Sequence, residues 1–189
     1  MAPRLVTDQQ LVERLTGLFR QVGYEGASLN AIAEATGLQK SSLYHRFPGG
    51  KQQMAAEASA AVLDEFASSV LAPAGRDDPL HERVAAIAAN LDRFYDGGAR
   101  YCLLDMLSVG EPGVDAATNL AAAAAAWIDI FAALARESGA DAPTALARAQ
   151  DAVAAIEGAL VVSRVTGDRD AFTRAVRLLP QRLLGEAAA

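Results

Sequence analysis

The chain has a single cysteine, Cys102, so no disulfide can close within it. Its two histidines, His45 and His81, lie far apart, and with one cysteine they make no zinc-ligand pattern. Aromatic residues are only 6% of the total, and runs of Val, Ile, Thr and aromatics that would read as strands are nearly missing. No apolar stretch reaches the roughly 20 residues of a membrane span. The run Ala121 to Ile128 comes nearest, and Asp129 ends it. The start, Met1-Ala2-Pro3-Arg4, lacks the apolar segment of a signal peptide, so the expected location is the cytoplasm, away from any membrane. No phosphate loop, nucleophile–base pair or paired carboxylates at catalytic spacing stand out, which leaves an enzyme, a catalytic residue or a cofactor without support.

What is abundant is alanine, the best helix former, in a chain of 189 residues that is 52% hydrophobic. That composition points to an all-α protein of one or two domains. Net charge is −6, but it is unevenly spread. Residues 1–52 hold six basic and four acidic side chains, and the rest hold 11 and 19, so a head of +2 precedes a body of −8. Both lysines, Lys40 and Lys51, are in the head. The asymmetry fits a nucleic-acid-binding module on a body that avoids nucleic acid.

The periodicity predicts about nine helices. The first opens at Thr7 or Asp8 with Leu11, Leu15, Leu18, Phe19 and Val22 on one face, and ends at Gly23. Ser28 caps a second, with Leu29, Ile32 and Ala33 inward, and Gly37 closes it. A third runs from about Gln39 to Arg46, with Leu38, Leu43 and Phe47 turned to the core. Pro48-Gly49-Gly50 breaks the chain before a long helix from Lys51 to Leu71. Five more follow, opened by Asp78-Pro79, by Arg100, by Val114, by Pro143 and by Asp170, the last interrupted by Pro180. The domain boundary is expected at 52/53: a three-helix head over 1–52 and a helical body over 53–189.

Two short helices about a tight Gly turn make a helix-turn-helix, whose second helix reads the major groove. Its outward side chains, Gln39, Lys40, Ser41, Ser42, Tyr44 and His45, all form hydrogen bonds. Ser28 and Lys51 stand at helix N-termini, where free N–H groups and the dipole favour phosphate. The same pattern of helix, glycine, helix with a polar outer face also occurs in helical proteins that never touch DNA.

Ile32-Ala33, Ala35-Thr36-Gly37, Ser42-Leu43-Tyr44, Phe47 and Lys51 resemble, at their spacing, the DNA-binding domain of the TetR family of repressors. The fragment Ser42 to Lys51, with its Pro48-Gly49-Gly50, resembles more narrowly the LmrA/YxaF-like branch. The match is specific over about residues 9–57, and Glu157 to Arg164 resembles the family's penultimate helix. The resemblance implies that Ser28, Tyr44 and Lys51 contact the DNA backbone. It makes Gln39, Lys40, Ser41 and His45 candidates for base or phosphate contact. Arg46 departs from the family, many of whose members have His there, and either residue meets phosphate. It further implies a homodimer bound to a palindromic operator, and an effector pocket within the body.

In the body, Phe94, Tyr95, Tyr101, Cys102, Met106, Leu107, Trp127 and Phe131 are the candidate lining of a pocket for a small, mostly apolar effector. Aromatics at helical spacing read equally as plain core, and Cys102 reads as a small buried hydrophobe before it reads as a redox sensor. Val153, Ile156, Leu160, Val161, Phe172, Val176 and Leu179 exceed what one helix pair buries alone and are the candidate dimer interface. The leading expectation is a ligand-responsive repressor. A helical enzyme and a helical adaptor that has lost DNA binding are the alternatives, and the intact polar face from Gln39 to His45 argues against the adaptor.

Overall fold

The computed structural model describes residues 6–185. Met1–Arg4, read above for a signal peptide, lie outside them. Among the described residues the secondary structure is helical: α1 (Asp8–Gly26), α2 (Leu29–Thr36), α3 (Lys40–Arg46), α4 (Gly50–Phe66), α5 (Leu80–Phe94), α6 (Leu103–Ser108), α7 (Val114–Glu137), α8 (Ala142–Thr166), α9 (Asp170–Arg177) and α10 (Leu179–Leu184). The chain forms two compact units, Met1–Asp64 with Leu103–Ala122, and Glu65–Cys102 with Ala123–Ala189. The sequence placed its boundary at 52/53, whereas the first unit retains most of α4 and regains α6 and the start of α7.

In the first unit Thr7 caps α1 reciprocally: Gln10 N–H donates to Thr7 Oγ1, and Thr7 N–H donates to Gln10 Oε1, both at 3.2 Å. The helix breaks at Gly23 (φ 67, ψ −176), which leaves Val22 41% exposed instead of inward as its spacing suggested. Leu11, Leu15, Phe19, Ile32, Leu43, Phe47 and Met54 form the core with Leu103 and Leu107 of α6. Full burial of such side chains stabilises by roughly 1.5–3 kcal/mol each.

In the second unit α4 ends at Phe66, and the chain continues through a widened π turn, Ala67–Leu71, into a tight turn, Ala72–Gly75. Two local causes act here. Ser69 Oγ and Ser68 Oγ both donate to the Glu65 carbonyl, and Pro73 has no N–H for the carbonyl four residues back. Arg83, only 8% exposed, donates to the Ala74 carbonyl at 2.8 Å and pairs with Glu137, fixing that turn against α5. Pro79 is itself the N-cap of α5, one residue later than expected, because its ψ of 140° is extended. The expected last helix is two: α9 stops at Arg177, and Pro180 sits in the first turn of α10, where its missing N–H costs nothing.

The inner face of α8 is built from Ala145, Ala149, Ala152, Ile156 and Leu160, packed on α9 and α10. Of the candidate dimer residues, Ile156, Leu160, Phe172, Val176 and Leu179 are therefore taken up by the protomer's own core, and Val153 and Val161 are half-buried. The exposed apolar residues of α8 are others: Leu146, Val162 and Val165. Among the described residues one helix, α7, is long and apolar enough to cross a membrane by length and composition alone, as core helices of other folds also are. The run-length reading missed it because Ile130, Phe131 and Leu134 carry the apolar character past Asp129.

Close packing against Gly98 gives a stability prediction. A Cβ there would lie 3.0 Å from Phe172 Cβ at a φ of +89°. Gly98→Ala should destabilise by about 2 kcal/mol or more, from strain plus overpacking. Gly167→Ala, at φ +74° with open space, should cost only about 1 kcal/mol. Thermal unfolding of the two variants should therefore rank Gly98→Ala well below Gly167→Ala.

Candidate nucleic-acid interface

Helix α2 is capped at its start, and the turn from it into α3 is held by Gly37 and Thr36. Ser28 Oγ accepts from Ala31 N–H at 3.2 Å and caps α2. Gly37 closes α2 in the left-handed region, with φ 73 and ψ 15. Thr36, fully buried, donates through Oγ1 to the Ile32 carbonyl at 2.6 Å, while its own carbonyl accepts from Arg14 Nη1 at 2.7 Å. That tie from α1 was not foreseen, since nothing in the spacing of Arg14 marks it.

From this turn α3 projects with Leu43 and, just beyond it, Phe47 fully buried. Gln39, Lys40, Ser41, Ser42, Tyr44 and His45 are all exposed, Tyr44 by 51%. The outward face thus offers an amide, an ammonium, two hydroxyls, a phenol and an imidazole, a set that suits base edges and phosphate oxygens. Gln39 is the N-cap of α3, but its side chain makes no capping bond.

Two of the candidate phosphate contacts are differently engaged. Lys51 Nζ donates to the Tyr24 carbonyl at 3.0 Å and lies 4.1 Å from the centre of the Tyr24 ring. Burial, with Glu25 and Glu111 adding to it, pushes the Tyr24 phenol up. Arg46 is half-buried and ion-paired with Asp8 and Glu57. The bond to Asp8 leads in pushing its guanidinium above the ordinary value; burial opposes this and Glu57 adds to it. A phosphate role for Arg46 therefore has to compete with two carboxylates already in place.

The effector candidates divide between the units. Met106 and Leu107 belong to the first, where α6 packs on α1 and Leu107 is fully buried in the core. In the second, Trp127 meets Phe66 at 4.8 Å, tilted by 59°, and Phe131 edge-on at 5.8 Å, Phe94 meets Phe66 at 5.3 Å and Tyr95 at 5.0 Å, and Tyr95 meets Phe172 at 5.8 Å. Tyr95 O–H donates to Cys102 Sγ at 3.4 Å, and Tyr101 lies under the Arg164 guanidinium. Phe66 and Phe172 were not foreseen here. Phe66 falls within the long helix expected over Lys51 to Leu71, where a lone aromatic among small residues is a usable signal. Trp127 is 3% exposed, and its indole Nε1–H has no acceptor among the described residues.

Two family models match the chain. One, described as bacterial regulatory proteins of the tetR family, covers residues 11–58. The other, described as the C-terminal domain of LmrA/YxaF-like transcriptional regulators, covers residues 80–178. The chain belongs to the TetR family. Within it, the second match assigns the LmrA/YxaF-like branch. The HTH-type transcriptional regulator LmrA of Bacillus subtilis (strain 168) is 46% identical over 50 residues, which span 26% of this chain and 27% of that relative. A TetR transcriptional regulator from Legionella pneumophila aligns over 95% of this chain and 99% of its own, with a TM-score of 0.83 at 17% identity, a likeness of fold. The TetR family regulator CifR, solved with 26-bp double-strand operator DNA, aligns over 95% and 98% with a TM-score of 0.76 at 26% identity. This TetR regulator therefore carries the family's DNA-binding domain on α1 to α4.

The Ser28 cap lets folding be tested apart from the phosphate contact expected of this residue. Its oxygen accepts the cap bond, which leaves its proton to donate outward. Ser28→Ala should lose the cap, about 1 kcal/mol of stability, together with DNA affinity. Ser28→Asp keeps a capping acceptor but replaces the donor by a negative charge. It should unfold near the wild-type temperature yet bind DNA at least tenfold more weakly, by about 1.4 kcal/mol, as thermal melts and gel shifts on the same preparations would show.

Proposed function

We propose that this TetR regulator is a cytoplasmic, ligand-responsive repressor that binds a pseudo-palindromic operator as a homodimer and leaves it when a small, mostly apolar molecule binds the second unit. The observation that carries the DNA half is the exposed, wholly hydrogen-bonding face of α3 on a turn fixed by Thr36 and Arg14. Gln39 and Lys40 at its start are proposed to read bases, since a groove-reading helix reaches bases through its N-terminal residues. Ser28, Ser41, Ser42, Tyr44, His45 and Lys51 are proposed to contact base or phosphate; Lys51 keeps two N–H donors beyond the one given to Tyr24. CifR, at 26% identity, was solved on double-strand operator DNA, in keeping with this reading.

For the dimer, the apolar outer face of α8 is the natural seam. Leu146 is 41% exposed, Val162 47% and Val165 77%, and the intervening exposed Ala154 and Gly158 permit a second helix to come close. Half-buried Val153 and Val161 flank this face. Two recognition helices so related would read half-sites about 34–36 Å apart. Val162→Glu combined with Val165→Glu should turn a dimer into a monomer in sedimentation at micromolar protein and abolish operator binding. A wild-type chain that is already monomeric there would overturn the dimer. Selection of duplexes from a random pool should return an inverted repeat, retained in a salt-dependent gel shift; a helical adaptor would return nothing.

The effector half rests on the aromatic cluster around Trp127. An unpartnered buried N–H costs roughly 1–3 kcal/mol, so a ligand that supplies an acceptor to Nε1 gains what the protein forgoes. A planar apolar molecule bearing one such oxygen fits the cluster's chemistry, with Phe94, Tyr95 and Phe131 around it and Tyr101 and Cys102 near. Helix α4 runs from Lys51 beside α3 to Phe66 in this cluster, so a ligand that favours another setting of α4 has a route to the DNA face. The usual coupling is about 1–3 kcal/mol, or roughly 5–150-fold in operator affinity, and it requires differential affinity for the two conformations. Trp127, the sole tryptophan, reports binding. Releasing ligands should quench its emission, and Trp127→Phe should weaken acceptor-bearing ligands about tenfold more than acceptor-free analogues, near 1.4 kcal/mol. Quenching ligands that never alter operator affinity would place the effector elsewhere.

A further inference from the structure

Arg46 leaves the last turn of α3, the element proposed above to read DNA. Its Nε donates to Asp8 Oδ1, in the first turn of α1, at 3.1 Å. Its Nη1 and Nη2 donate to Glu57 Oε1 and Oε2, on α4, at 3.3 and 3.1 Å. Glu57 Oε1 also accepts from Gln53 Nε2 at 3.0 Å, and Gln53 Oε1 accepts from Gly49 N–H at 2.9 Å in the turn that follows α3. The guanidinium lies over the Phe47 ring, 4.8 Å from its centre. One planar fork thus joins the end of the recognition helix to α1 and to α4, and the relay through Gln53 closes over the turn between α3 and α4.

The charges count against a phosphate contact. One guanidinium sits between two carboxylates, so the group as a whole carries an excess negative charge where an anion would have to approach. An isolated exposed ion pair does little for stability, but a bidentate fork is directional and here it is one part of a network. What it fixes is orientation: the rotation of α3 about its own axis relative to α1 and α4. Base readout depends on that rotation, whereas attraction to the phosphate backbone hardly does.

We infer that Arg46, held by Asp8 and Glu57, is a positioning residue that sets how α3 presents its reading face, and that it does not itself contact phosphate. This rests on the reading of α3 as the recognition helix. The test uses the full-length protein, the duplex it enriches from a random pool and a scrambled duplex of the same length. Arg46→Met should weaken binding to the enriched duplex about three- to tenfold and leave the scrambled duplex within about twofold, so the preference between them falls. The slope of log affinity against log salt should stay at the wild-type value, because no phosphate contact is lost. Glu57→Met should reproduce the effect from the α4 side, and the double variant should be no worse than the worse single, as members of one link are not additive. A slope flatter by about one unit with equal loss on both duplexes would make Arg46 a phosphate contact and overturn the inference. A lowered melting temperature with unchanged preference would make it merely structural, and overturn it too. Should the wild type enrich no duplex, the DNA reading and this one fall together; an enriched duplex with unaffected Arg46 variants sinks only this one.

Discussion

A helix of seven residues, as α3 is, cannot hold itself together in water, where isolated helices shorter than about 12–15 residues are marginal. Everything that α3 can do for recognition therefore depends on what its neighbours supply. Leu43 and Phe47 anchor it in the core formed by Leu15, Phe19 and Ile32. The Thr36 turn fixes where it begins, through Arg14 on one side and the left-handed Gly37 on the other. The Arg46 fork fixes where it ends. The reading face stays polar and exposed because each of these supports comes from the opposite side or from the ends.

The second unit meets a different constraint, that of long helices rich in alanine. Small side chains bury little area each, so the packing of α8 depends on close approach: Ala145, Ala149 and Ala152 let α9 and α10 come near. Bulk is then concentrated where six aromatic rings gather, Phe66, Phe94, Tyr95, Trp127, Phe131 and Phe172. An N–H left without an acceptor in so apolar a group is costly, and it is on that cost that the proposed effector site rests.

The first third of the chain was the more legible part. Ser28, Gly37 and the Pro48-Gly49-Gly50 break mark helix ends through local backbone chemistry, which a sequence displays directly, and α2 and α3 lie within a residue or so of their expected bounds. What escaped was tertiary. Arg46 and Lys51 were read as DNA contacts from their position on the chain, yet Asp8 and the Tyr24 carbonyl are 38 and 27 residues away from them in sequence. In the body, apolar spacing on α8 and α9 could say that Ile156, Leu160 and Phe172 face inward, but not whether inward meant the protomer or a second copy. The return of α6 to the first unit left no local trace, because Leu103 and Leu107 have the same spacing whichever core they serve.

The engaged cations also change what the basic head can mean. Among the described basic residues of the first 52, Arg14 serves Thr36, Arg20 is buried, Arg46 is neutralised by two carboxylates and Lys51 gives one donor to Tyr24, while Lys40 stands exposed on α3. The net +2 is thus largely an internal scaffold and not a phosphate-binding surface. Neutral donors on α3 and at Ser28 would then carry a large part of the DNA contact. Contacts of that neutral kind add little to the salt slope, which the remaining cations set. Such a face gains most from two-fold pairing, since a second copy doubles the contacts without adding like charge to either head. The shortage of free positive charge among the described residues is thus where the proposed two-fold pairing would matter most.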